Sequence, residues 1–143
     1  MNPKRLVLAV AVLFVFVFAT DFLIHGVWLK DTYARTAGLW RPEAEMQKYF
    51  GWLLLSQFLI AAVFVALWAR GFAAHECLLC ACLYGLLMGV FLEASTVVLY
   101  AVQPFPGRLA IEWFVANVAR SMLMGLLVYV VYRPKPEAAA TSD

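Results

Sequence analysis

Apolar residues in this chain come in four unbroken runs, separated by short stretches where charge, proline and glycine collect. The runs are Leu6–Leu29, Tyr49–Ala69, Cys77–Val102 and Leu109–Tyr132. A bilayer core of roughly 30 Å needs about 20 helical residues, so each run is long enough to span it. The pattern predicts four transmembrane helices in one domain over residues 1–132. Lys4 and Arg5 ahead of the first run resemble the start of a signal peptide. Apolar residues resume after Asp21, however, and no small-x-small cleavage site follows, so the run reads as an uncleaved helix.

The intervening segments carry the stop and start signals. In the loop from Lys30 to Lys48, Pro42 is followed at once by Glu43 and Glu45. Proline fits a first helical turn and carboxylates suit the positive end of its dipole, which predicts a short interfacial helix leading into span two. Arg70–Glu76 is a brief connection containing Gly71. Two prolines and a glycine in Gln103–Arg108 make a tight turn between spans three and four. The tail after Tyr132, residues 133–143, reads as disordered.

Composition agrees and sharpens the class. The chain is 65% hydrophobic with a mean hydropathy of +0.84, more apolar surface than a soluble domain of 143 residues could bury. The lipid bilayer is therefore the expected partner, and the fold class is all-α, an integral membrane four-helix bundle. The dispersed net charge of +2 excludes a nucleic-acid surface. Basic residues divide evenly. Lys4, Arg5, Arg70, Arg133 and Lys135 fall on one side, and Lys30, Arg35, Arg41, Lys48 and Arg108 on the other. The pair flanking span one and the basic tail tip both termini towards the cytoplasm. Trp28, Trp40, Trp52 and Trp113 gather at the far interface, and Trp68 marks the near one.

The informative feature is what interrupts the apolar runs. Span one holds Asp21 and His25 at i,i+4, span two Gln57, span three Glu93, and span four Asn117 and Arg120. Counted from the loop-side end of each span, Asp21, Gln57, Glu93 and Arg120 lie at depths of about 12–17 Å, with His25 a turn shallower. A charge at the bilayer centre costs roughly 2.5–3.5 kcal/mol on insertion scales, so Arg120 is expected to pair with Glu93 or Asp21. Two acids against one base leave a surplus carboxyl, protonated or dependent on His25 or water. Such a layer serves either as a lock that fixes helix pairing or as a path for protons or cations.

Small residues form stripes beside it. Ala81, Gly85 and Gly89 lead to Glu93 at four-residue steps, and Ser121 and Gly125 follow Asn117. Such stripes allow backbones to approach closely, within the bundle in preference to a homodimer contact. Cys77, Cys80 and Cys82 suggest two further chemistries: a thiol oxidoreductase working through the CxxC, or a metal site with His75, Cys77 and Cys80. The first lacks a second cysteine pair to relay electrons and the second lacks a fourth ligand. Cysteine as a small apolar residue at a helix start is the preferred reading. His25 and His75 lie almost a membrane apart and cannot share a haem. No cofactor is expected.

Asp21–Leu29, Leu39–Met46 and Tyr100–Gly107 resemble small bacterial four-helix membrane proteins of unknown function. That resemblance implies a multi-pass protein of the bacterial inner membrane and no particular activity. The size and near-zero charge bias are also similar to those of small multidrug-type transporters. Their membrane acid lies near the middle of helix one, whereas Asp21 is closer to its far end. The expected function is a non-catalytic accessory or stabilising protein, alone, as a homodimer or in a larger membrane complex. The alternative is a proton- or cation-coupled carrier of a small solute using the charged layer.

Overall fold

In the computed structural model, which describes residues 2–73 and 77–132, those runs become helices and no strand occurs among the described residues. The predicted tail, residues 133–143, lies outside them. Helix α1 (Pro3–Asp21) starts three residues ahead of the apolar run. Pro3 occupies its first turn, and Asn2 Oδ1 accepts the Lys4 and Arg5 N–H groups at 3.1 and 3.3 Å, a favourable N-cap. Near its end the Thr20 hydroxyl donates back to the Phe16 and Val17 carbonyls. From Phe22 to Trp28 the helix widens into a π-type stretch, which closes when Leu29 N–H reaches the Ile24 carbonyl, five residues back, at 2.9 Å.

The loop is more ordered than its sequence suggests. A short helix, α2 (Lys30–Arg35), and a 3-10 turn at Ala37–Leu39 precede the predicted interfacial helix, α3 (Glu43–Met46). Pro42 caps α3, and Glu43 and Glu45 lie in its first turn. Then follow α4 (Phe50–Gly71), α5 (Leu78–Val102) and α6 (Gly107–Val131). The four long helical stretches, Pro3–Trp28, Ala37–Gly71, Leu78–Val102 and Gly107–Val131, are long and apolar enough to cross a membrane. The protein is an all-α helical bundle of the multi-pass membrane class.

Packing joins two antiparallel pairs. α5 lies most extensively against α6, α1 lies against α4, and α1 against α6 links the pairs. The α5–α6 seam is built from the small stripes. Ala81, Gly85, Gly89 and Glu93 are buried on α5, as are Ser121 and Gly125 on α6. A Cβ at Gly85 would meet the Ser121 carbonyl oxygen and lie 2.7 Å from Met122 Cα. One at Gly125 would meet the Ala81 carbonyl oxygen. No larger residue fits either place without moving backbone.

Beside the Ala81–Gly85 part of that seam, α4 closes onto α5 through aromatic rings. Tyr84 donates its hydroxyl to the Phe64 carbonyl at 2.6 Å, and its ring lies 4.7 Å from Phe64 and 5.4 Å from Trp68. Trp68 is thus a core residue, 1% exposed, not the headgroup anchor its position suggests. It fills the space where α4 and α5 converge. The other half of α4 stands away from α5, with Trp52, Leu53, Phe58 and Leu59 exposed and burial beginning at Ala61.

Candidate functional site

Three polar groups lie along the helices. In the first, the last residue of α1 meets α4 and α6. The Arg120 Nη1 group pairs with Asp21 Oδ1, and Gln57 Nε2 donates to Asp21 Oδ2 at 2.7 Å. One carboxylate therefore ties three helices together. The Arg120 side chain is 10% exposed and the Asp21 side chain 25%. Gln57 Oε1 and Arg120 Nε are buried without a hydrogen-bond partner among the described residues.

In the second, Glu93 belongs to the α5–α6 seam. Thr96 Oγ1 donates to Glu93 Oε2 at 2.6 Å, and the Asn117 side chain lies beside the same carboxyl. The Asn117 Oδ1 atom is buried without a partner among the described residues. Glu93 does not reach Arg120. The reason is rotational, because successive helical residues step about 100° around the axis. Asn117, Ser121 and Gly125 face α5, while Arg120 projects to one side, towards α1. The single expected layer is thus divided by the two faces of α6, and the surplus acid has neutral partners.

The third group lies at the loop-side end. His25 Nδ1 is 2.6 Å from Tyr33 Oη, to which Trp113 Nε1 donates at 2.8 Å. Indole can only donate. The assignment that satisfies all three therefore has Tyr33 donating onward to His25 Nδ1, with the imidazole proton on Nε2. Trp40 and Phe105 complete the cluster, with centroids 5.8 and 5.1 Å from Trp113. Around it, Leu29, Phe105 and Leu109 form a small apolar core of their own. Burial raises the Tyr33 phenol from 10.0 to about 12, against a smaller lowering by the Trp113 hydrogen bond, so it remains a donor at neutral pH. Of the four loop-side tryptophans, Trp40 and Trp113 turn into this cluster, while Trp28 and Trp52 are 56% and 69% exposed.

Sequence reasoning missed Tyr33 and Thr96. Thr96 lies three residues after Glu93, on a neighbouring face, and that spacing was a usable signal. Tyr33 falls in a segment read as irregular. The cysteines are free thiols, with Cys77 at the N-cap of α5. His75, the third member of the candidate metal set, lies outside the described residues. Among those described, no three histidine, cysteine or acidic side chains gather to hold a metal. Compared with known proteins, the chain matches no family model, no curated protein and no solved structure.

Proposed function

We propose that this protein is a non-catalytic accessory subunit of a membrane assembly. We place it in the bacterial cytoplasmic membrane with both termini on the cytoplasmic side. Its intramembrane charges act as a lock. The observation that carries this reading is the Asp21 carboxylate, which takes Arg120 from α6 and Gln57 from α4. Charge is neutralised where it stands, and three helices lose freedom to rotate or slide. Glu93 adds a second contact between α5 and α6, with Asn117 beside its carboxyl, while Thr96 holds that carboxyl from within α5. Each strongly polar side chain thus contributes to helix pairing, which in lipid cannot rest on the hydrophobic effect. The broad apolar exterior, which includes the outward half of α4, suits contact with lipid or with helices of a larger partner.

A second reading has its own observation. Asp21 keeps a quarter of its side-chain surface exposed, and Gln57 Oε1 and Arg120 Nε have no partner among the described residues. A small polar solute or a proton carried past Asp21 would use those atoms. The two readings separate in one experiment on Asp21→Asn and the charge-swapped double variant Asp21→Arg with Arg120→Asp. Under the lock, Asp21→Asn lowers membrane abundance and the unfolding midpoint in detergent, and the swap restores part of both. If instead Asp21→Asn folds like the wild type and abolishes proton or cation flux in proteoliposomes, the lock is wrong and the carrier stands.

A further inference from the structure

The thiols at the start of α5 take no part in the polar ties. Cys77 caps this 25-residue helix with an extended backbone (φ −129°, ψ 113°), and its Sγ accepts the Cys80 N–H at 3.2 Å. That bond folds the Cys77 side chain over the first turn, on which Cys80 stands. Two cysteines held on one turn by that bond are close enough in the chain to bridge, since a disulfide holds its Cβ atoms about 3.5–4.5 Å apart. Both residues are partly exposed, and Cys77 lies just outside the span Leu78–Val102, so a reagent can approach. Cys82 projects from nearly the opposite side of α5, about 200° around from Cys80.

We propose that Cys77 and Cys80 form a reversible dithiol–disulfide couple, a redox-modification site at the start of α5 that exchanges with small-molecule disulfides. It is independent of the lock. The helix end assigns the roles. Cys77 Sγ lies at the positive end of the dipole with an N–H aimed at it, an arrangement that favours a thiolate. Cys77 lies one residue outside the span, and hydrogen bonds from Cys80, the thiol first and the backbone second, hold its thiol below the usual range. The Cys77 thiolate attacks one sulfur of a disulfide RSSR. A Cys77–SR bond forms, the S–S bond breaks, and RS⁻ leaves and takes up the proton that Cys77 gave to water. The Cys80 thiol then loses its proton and attacks Cys77 Sγ, closing the Cys77–Cys80 bond and releasing the second RSH. Two electrons pass from the dithiol to RSSR. The new bond stiffens the turn beside Ala81, whose carbonyl packs on Gly125.

The test uses the full chain in detergent, reduced, then equilibrated with mixtures of reduced and oxidised glutathione, acid-quenched and alkylated with a polymer-linked maleimide. Free thiols are expected to fall from the chain's three to one, with peptide mapping placing the bond between Cys77 and Cys80. Cys80→Ala is expected to accumulate glutathione on Cys77, and Cys77→Ala to accumulate much less on Cys80. Three alkylatable thiols throughout, a bridge to Cys82, or equal glutathione uptake by the two variants would each overturn the proposal.

Discussion

The α5–α6 pair and the α1–α4 pair solve one problem in two ways. Inside a bilayer, apolar side chains are as content against lipid as against each other, so helices associate through close backbone packing or through polar contacts. α5 and α6 use the first means, with Gly85 and Gly125 each seated on a carbonyl of the other helix. α1 and α4 join α6 through the second, with Asp21 receiving Arg120 and Gln57. Steric fit is local and indifferent to charge. The ion pair is costly to halve but tolerant of being replaced whole. The two halves should therefore fail differently.

The largest effect is expected at Asp21. Asp21→Leu leaves the Arg120 guanidinium, which cannot shed its charge, inside the bundle without a carboxylate. Removing one partner of a buried pair costs roughly 3–5 kcal/mol, so the unfolding midpoint in denaturing detergent should collapse. Adding Arg120→Leu should recover most of the loss, because an apolar pair of similar volume replaces a buried ion pair nearly neutrally. A double variant no better than Asp21→Leu alone would show that the charges do more than pair helices. Next comes the seam. Gly85→Val forces α5 and α6 apart and should cost roughly 1–3 kcal/mol. Gly38→Ala, which adds a methyl into open space, serves as its silent control. No charge change elsewhere should rescue Gly85→Val, and a rescue would blur the contrast between the halves.

Much of this is legible in the sequence. The four spans follow from length and apolarity, which no tertiary contact can override. Equal depth put Asp21, Gln57 and Arg120 within reach of one another, and they do meet. Depth says nothing about rotation, and that is where Glu93 parted from Arg120. Which face of α6 looks at α5 depends on the order in which helices pack, and no single helix encodes it. Trp68 shows the same gap, since a tryptophan at a helix end can point to headgroups or into the core. The His25–Tyr33–Trp113 chain was hidden because α2 is a helix of six residues, too short to leave a period in the sequence.

Gln57 offers a finer cut through the polar side. Gln57→Leu removes one hydrogen bond to Asp21 and leaves the ion pair. Interhelical hydrogen bonds in membranes average about 0.6 kcal/mol and reach about 1.7, so the midpoint should fall far less than for Asp21→Leu. It should fall by nothing further when added to the Asp21→Leu, Arg120→Leu background, where the acceptor is gone. A loss that persists there would mean that Gln57 works through another contact.

The smallest effect belongs to the loop-side cluster, which uses both means at once, aromatic packing around a hydrogen-bonded chain. The Tyr33 phenol is raised from 10.0 to about 12, so the folded state holds this proton more tightly than the unfolded chain does. The contribution is fully present below about pH 10 and is lost as pH rises through about 12, because the unfolded state ionises first. At about pH 10.5 the loss should be below about 1 kcal/mol. It is read as the difference between wild type and Tyr33→Phe in unfolding midpoint across that window, since the other tyrosines titrate in both proteins. The two curves should converge as pH rises, the phenylalanine variant starting lower for want of its bonds to His25 and Trp113. Parallel curves would mean that Tyr33 titrates as it does in the unfolded chain, and that the cluster is open to water.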